Sequence, residues 1–156
     1  MLDPNHPDLL ATINNLAGLY DSMGKYAEAE VLFKECLEKQ RTVLDPNHPD
    51  LLTTMNNYGS FLRDIGLLDE SEVMLTECVE KSTAALGAHH PLTLRFTDNF
   101  GYLLVKRGPG RWAEAEGVLS ACLQAMTDQP ALGEDHAYTQ RVRERLAELH
   151  TLMKQS

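Results

Sequence analysis

The feature that most constrains this chain is an internal repeat of 42 residues. The phrase LDPNHPDLL at residues 2–10 returns letter for letter at 44–52, and the units 2–43 and 44–85 are identical at 20 of 42 positions. A weaker copy, LGAHHP, follows at 86–91, and LGEDH recurs at 132–136 after 46 residues. Units repeated at such a period stack so that each buries its neighbour's apolar face. We therefore predict one continuous repeat domain with repeats 1–43, 44–85 and 86–131 and a closing segment, 132–156.

Each repeat has the pattern of two helices. Pro7 suits the first position of a helix, where its missing N–H is harmless, and Gly24 is typical of the residue that ends one. A second helix is predicted to start at Tyr26. With a capping helix in the closing segment, whose charged side faces away from the repeats, about seven helices are expected. The predicted buried face of the first helix is Leu9, Ile13, Leu16, Ala17 and Tyr20.

Small residues at fixed positions indicate which repeat class this is. A period near 42 also occurs in HEAT, armadillo and propeller proteins, but the strand and turn signals of a propeller are absent here. Small side chains let the two helices of a hairpin, and the next hairpin, approach closely. The predicted small contact positions are Ala17/Gly59/Gly101, Ala29/Ser71/Ala115 and Cys36/Cys78/Cys122.

The phrases NNLAGLY at 14–20, GKYAEAE at 24–30 and CLE at 36–38 resemble the 42-residue tetratricopeptide repeat of the kinesin light chain family. The resemblance covers residues 2–127 well and 132–150 in part. It implies an all-α, right-handed superhelical array of antiparallel helix hairpins that binds a protein or peptide in a concave groove. The same long repeat also occurs in arrays attached to nucleotide-binding regulatory proteins. A sensor or oligomerisation array of such a protein is therefore the alternative function.

A polar stripe on the first helix of each repeat is the candidate binding site. The resemblance implies that Asn14 and Asn56 hold an extended peptide by its backbone amides, since an amide side chain both donates and accepts. Hydrogen bonding to a neighbouring helix is the alternative role for these two residues. Arg63, Arg95 and Lys106 would attract an acidic peptide, unless they form only a solvated charged face. The predicted groove residues are Asn14, Gly18, Asp21, Thr53, Asn56, Ser60, Arg63, Arg95, Asp98, Tyr102 and Lys106.

Charge and hydropathy exclude two classes of partner. Residues 1–85 carry six Lys/Arg and fifteen Asp/Glu, a net charge of −9, whereas residues 86–156 carry eight of each. Such a first half repels a phosphate backbone, so no nucleic-acid partner is expected. No signal peptide and no apolar run long enough for a membrane helix is recognisable. We expect a soluble, cytoplasmic protein.

No pattern in the sequence indicates catalysis, a metal or a cofactor. His6, His48, His90 and His136 recur at one repeat position, and residues that far apart in a stack cannot share an ion. The three cysteines also recur once per repeat, with no CxxC spacing, which favours a role as small core residues. Phosphate-loop and hydrolase motifs are absent. The chain is therefore expected not to be an enzyme.

The sequence starts in phase with the repeat, because its first residues match the linker between repeats 1 and 2. One hypothesis is that the chain is a fragment of a longer array. The alternative is self-association, in which the uncapped first hairpin pairs with a second copy. Light scattering at high protein concentration would distinguish a dimer from a monomer.

Overall fold

The computed structural model describes residues 3–156; Met1 and Leu2, with which the predicted first repeat begins, lie outside the described residues. Over 3–156 the chain folds into seven α-helices and one 3₁₀ turn, and this described part contains no strand. The predicted all-α class and the helix pairing are confirmed. The helices are α1 Pro7–Ser22, α2 Tyr26–Val43, α3 Pro49–Asp64, α4 Leu68–Leu86, α5 Pro91–Lys106, α6 Trp112–Thr127 and α7 Ala137–Gln155, with the 3₁₀ turn at Pro109–Arg111.

The recurring histidine is a helix cap. In α1, α3, α5 and α7 the residue before the helix is His, and its ring Nδ1 accepts a hydrogen bond from the backbone N–H two residues on. These N–H groups would otherwise lack an intrahelical partner. The nitrogen–nitrogen distance is 3.2 Å at His6 and 3.1 Å at His48 and His90. Each of the four recurring histidines therefore caps the first turn of the helix that follows it.

Replacing the cap of α5 tests this role. His90→Ala removes the acceptor of the Leu92 N–H, so the free energy of unfolding should fall by about 1 kcal/mol. The exposed neighbour His89 makes no such cap, and His89→Ala should change stability by less than about 0.5 kcal/mol. Urea unfolding followed by circular dichroism measures both. Equal losses in the two variants would contradict the capping role.

The chain divides into two compact units, Met1–Met74 and Leu75–Ser156. In the first unit, α2 packs on both α1 and α3. The ring of Phe33 on α2 lies 5.7 Å from the ring of Tyr58 and 5.5 Å from that of Phe61, both on α3. Such tilted contacts stabilise beyond the area they bury. Aromatic packing thus holds the second helix of one repeat to the first helix of the next.

The small contact positions of the first hairpin are confirmed. Ala17, Ala29 and Cys36 are fully buried, and the Cys36 thiol donates to the Leu10 carbonyl at 3.2 Å. Ser71, the counterpart of Ala29, donates its hydroxyl to the Gly59 carbonyl at 2.6 Å. These close contacts require small side chains where the helices cross, because a larger one would push the backbones apart.

The predicted buried face of α1 is partly wrong. Ala17 is buried, but Leu16 is 38% exposed, and Leu9, Ile13 and Tyr20 are only partly buried. The fully buried leucine of the first turn is Leu10 instead. The buried face of α1 is rotated because the helix contacts α3 as well as α2, which brings Leu10 and Asn14 inward. A second apolar stripe that contains Leu16 is left on the surface.

The second unit is built around α6, which packs on α5 and α7. Gly101 on α5 crosses α6 so closely that an added Cβ would lie 2.7 Å from Leu119 Cδ2. The indole N–H of Trp112 donates to the Val105 carbonyl at 3.1 Å. This hydrogen bond joins the start of α6 to the end of α5 across the turn between them. On α7, Val142, Leu146 and Leu149 are buried, whereas Met153 is 37% exposed.

Candidate functional site

The predicted groove residues lie on the first helices of both units. Asn14, Gly18 and Asp21 lie on or at the end of α1, and Thr53, Asn56, Ser60 and Arg63 on α3. In the second unit, Arg95, Asp98, Tyr102 and Lys106 lie on α5. Each set is spaced three or four residues apart, which places its members on one side of their helix. We call the α1/α3 set the first-unit stripe and the α5 set the second-unit stripe.

Three asparagine amides form a connected chain in the first-unit stripe. Asn57 Nδ2 donates to Asn14 Oδ1 at 3.4 Å, and Asn56 Nδ2 donates to Asn57 Oδ1 at 3.4 Å. Asn14 and Asn56 are largely buried, at 6% and 2% exposure. For Asn14 this is the hydrogen bond to a neighbouring helix that was expected as its alternative role, because Asn57 lies on α3 and Asn14 on α1. The hydrogen bond from Asn57 uses only the oxygen of Asn14, and the Asn14 amide nitrogen takes no part in it.

Toward the C-terminal ends of α1 and α3, the first-unit stripe contains the charged residues Asp21 and Arg63 and the hydroxyl of Ser60. Burial raises the pKa of Asp21, the neighbouring charge of Asp64 raises it further, and Arg63 opposes both. Arg63 is itself largely buried, with its Nε 2.8 Å from Asp64 Oδ1. Ser60 Oγ is buried with no hydrogen-bond partner among the described residues.

Asp98 in the second-unit stripe is enclosed by arginines of α7. Its carboxylate is fully buried, and Oδ2 lies 2.8 Å from Arg141 Nη2 and 2.6 Å from Arg145 Nη1. Arg145 also donates to Asn99 Oδ1 at 3.2 Å. Asp98 thus holds α7 to α5, and this oxygen is occupied by the protein itself.

Two tyrosine rings lie between cations on the same face. The Tyr138 ring lies 5.7 Å from the guanidinium carbon of Arg95 and 5.1 Å from that of Arg141. The Tyr102 ring lies 4.4 Å from the corresponding carbon of Arg145. Such contacts with an aromatic ring attract and orient the cation.

Lys106 completes this group. Its amine lies 4.6 Å from the centre of the Tyr102 ring and 3.0 Å from Glu148 Oε1. The hydrogen bond to Tyr102, and after it that to Glu148, raises the pKa of Lys106. Lys106 therefore stays charged at neutral pH. Six charged side chains of α5 and α7 thus lie around the rings of Tyr102 and Tyr138. Four are cationic and two are acidic: Arg95, Lys106, Arg141 and Arg145, against Asp98 and Glu148.

The sequence interpretation missed the contribution of α7. It assigned α7 only a capping role, yet Tyr138, Arg141 and Arg145 share a face with Arg95 and Asp98. The available signal was the fourth copy of the histidine phrase, which marks α7 as a first helix. With the 46-residue spacing from His90 to His136, Arg141 is the repeat counterpart of Arg95.

The cysteines and histidines do not form a reactive or metal-binding group. Burial, and after it the charge of Asp98, raises the pKa of the Cys122 thiol to about 12, and burial also raises that of Cys36. Such thiols stay protonated at neutral pH and are poor nucleophiles and metal ligands. Between Asp3 and Ser156, no three His, Cys, Asp or Glu side chains lie close enough together to hold a metal ion. Over the same span, no helix is both long and apolar enough to cross a bilayer.

The chain matches one protein family over more than half of its length. Residues 9–50 and 51–92 each match the family model described as tetratricopeptide repeat. None of the curated proteins compared with the chain matches it.

Several solved structures share the fold. A Podosopora anserina protein assigned as a kinesin light chain, with nearly identical TPR-like repeats, superimposes with a TM-score of 0.83 at 21% identity, covering 96% of this chain and 69% of that one. A variant of that protein gives 0.75 at 22% identity, covering 99% and 71%. BtubC (BKLC) from P. vanneervenii gives 0.80 at 17% identity, covering 96% of this chain and 58% of its own. The predicted tetratricopeptide repeat family is confirmed, and the predicted resemblance to kinesin light chain-type repeats is confirmed for the fold.

Proposed function

Because this chain belongs to the tetratricopeptide repeat family, we propose that it is a protein–protein interaction scaffold that binds an extended partner segment along its first helices. The observation that carries the proposal is the amide chain of Asn14, Asn57 and Asn56. An oriented amide side chain matches the donor and acceptor of a peptide bond.

The second-unit stripe supports a partner segment with acidic residues. Four cations surround Tyr102 and Tyr138, and their charge exceeds that of Asp98 and Glu148. Exposed cations raise the rate at which an acidic partner is captured more than they raise its final affinity. The groove residue Asp98 acts in this proposal by holding Arg141 and Arg145 in place.

Three further parts of the proposal follow from the same features. A scaffold needs no chemistry of its own, and the protonated, buried thiols fit a protein without a catalytic group. Free cysteines fit a reducing compartment, so we place the scaffold in the cytoplasm. The acidic first half of the chain disfavours nucleic acid as the partner.

Selection from a random peptide display library, followed by affinity measurement, tests the proposed site. Peptides enriched on the wild-type protein should bind Asn14→Ala/Asn56→Ala at least about tenfold more weakly, since each lost amide removes a hydrogen bond. Asn15→Ala, at an exposed neighbouring position, is the matched control and should bind as wild type. Circular dichroism checks that all variants fold. Equal affinities for the double variant and the wild type would place the binding surface elsewhere.

A further inference from the structure

A small pocket opens on the second unit between α5, α6 and the end of α4. Its volume is about 300 Å³, its walls are mostly apolar, and none of the described side chains that line it is Lys, Arg, Asp or Glu. Thr93 and Thr97 of its wall lie on the side of α5 roughly opposite to Arg95 and Tyr102, given 3.6 residues per turn. This α5/α6 pocket is therefore separate from the second-unit stripe.

Two side chains of α5 in the pocket wall are shorter than their counterparts in the preceding repeat. The residues 42 positions before Thr93 and Thr97 are Leu51 and Met55, which are only 2% and 1% exposed. Long apolar side chains at such positions fill the space between packed helices. Threonine fills less of that space, so the third repeat has open volume at two positions where the second repeat has core side chains.

The α6 wall of the pocket lacks a charged pair that both earlier repeats contain. In each of those repeats a Glu and a Lys four residues apart on the second helix form an ion pair of 2.6 Å. The pairs are Glu35–Lys39 and Glu77–Lys81. At the corresponding positions, 44 residues after the second pair, α6 has Ala121 and Ala125, which both line the pocket. The third repeat thus presents apolar surface where the others present charge, as a binding site does.

We propose that the α5/α6 pocket binds a small, neutral aromatic molecule that donates one hydrogen bond. A mostly apolar pocket of this volume falls at the lower end of the range of ligand sites, about 300–1,000 Å³. A charged ligand would lose its hydration without gaining an opposite charge from the wall. A rigid ring system loses no internal rotation on binding, which favours it over a flexible chain.

The wall also determines which hydrogen-bonding group the ligand needs. The hydroxyl of Thr97 donates to the Thr93 carbonyl at 2.8 Å. A hydroxyl has one hydrogen and two lone pairs, so Thr97 Oγ1 has only acceptor capacity left. The ligand that fits this wall therefore carries an N–H or O–H group and no charge.

Titration of the full chain with indole, followed by carbon-13 methyl NMR, tests the proposal. Indole is neutral, has two fused rings and carries one N–H donor. Its dissociation constant should be about 1 mM, with the largest shifts at the methyl groups of Leu94, Val118, Ala121 and Ala125. No shift of these methyl groups at about 10 mM indole, or larger shifts at methyl groups outside the pocket, would overturn the proposal.

Restoring the charged pair of the earlier repeats tests the location of the site. Ala121→Glu/Ala125→Lys places an ion pair across the α6 wall and should weaken indole binding at least about tenfold. The pair favours a helix, so the variant should keep its fold. Ser120→Glu/Gln124→Lys adds the same pair at exposed positions of α6 outside the pocket and should bind indole as the wild type does. Equal affinities of the two variants for indole would contradict the assigned location.

A second ligand and a second variant test the hydrogen bond. Indene matches indole in size but lacks the N–H, so it should bind the wild type about fivefold more weakly. Thr97→Val removes the acceptor and should weaken indole about fivefold while leaving indene unchanged. Equal weakening of both ligands would refute the acceptor role of Thr97. Tighter binding of N-acetyltryptophan amide than of indole would assign the pocket to a protein side chain and overturn the small-molecule proposal.

Discussion

Replacing Asp98 with alanine is expected to lower the free energy of unfolding by about 3 kcal/mol, because it removes a buried carboxylate that joins Arg141 and Arg145 to α5. The Asp98 side chain is fully buried and Oδ2 contacts both guanidinium groups within 2.9 Å. Without it, two positive charges remain close together on α7, with Arg145 only 11% exposed. Urea denaturation of the purified variant measures the loss.

The control for Asp98→Ala is an ion pair of similar length on the surface. Glu114 Oε2 lies 2.8 Å from Arg111 Nε, and both side chains are a third or more exposed. Glu114→Ala should therefore cost less than about 1 kcal/mol. Hydrogen exchange should also show faster opening of α7 in Asp98→Ala only. A loss as small as that of Glu114→Ala would mean that the arginines are held by other contacts.

Gly101→Ala is expected to destabilise the second unit by about 2 kcal/mol, because the new methyl group would overlap a buried leucine. The added Cβ would lie 2.7 Å from Leu119 Cδ2 and 2.8 Å from Leu119 Cγ. Leu119 is fully buried in the core between α5, α6 and α7, so it has no open space into which to turn. The backbones of α5 and α6 would have to separate.

Gly117→Ala, in the same hairpin, is expected to raise the stability of the protein rather than lower it. Gly117 lies on α6, and an added Cβ would meet nothing within 4 Å. Alanine favours the helix over glycine by up to about 1 kcal/mol, so this variant should be slightly more stable than wild type. Thermal unfolding of the two variants under one set of conditions measures both effects. Changes of the same sign would contradict the assignment of Gly101 as a close helix contact.

The repeat pattern predicted the helices because its signals are local. Proline at the start of α1, glycine in the turn after it, and small residues such as Ala17 and Ala29 each act within one hairpin. Burial of those small residues follows from the same local pattern, since the crossing point of two short helices is fixed by the turn between them.

The pairing of Asp98 with Arg141 could not be predicted, because it depends on how far one first helix is displaced along the next. Asn57 contacts Asn14, and Arg141 contacts Asp98, each at a sequence separation of 43 residues. The repeat spacing is 42 residues for the first pair of helices and 46 residues for the second, so the same separation joins different repeat positions.

The buried side of α1 was also predicted wrongly, for a physical reason. Leu9 and Leu16 fit an apolar helical pattern as well as Leu10 does, and only the contact of α1 with α3 decides which leucine is buried.

The central claim is that the first helices carry the partner-binding surface. The measurement that tests it most directly is hydrogen exchange of the wild-type chain with and without a saturating peptide selected on it. Binding at the amide chain predicts slower exchange in α1 and α3, around Asn14 and Asn56, and unchanged exchange in α2. Protection confined to the second helices α2 and α6, with α1 and α3 unaffected, would contradict the claim.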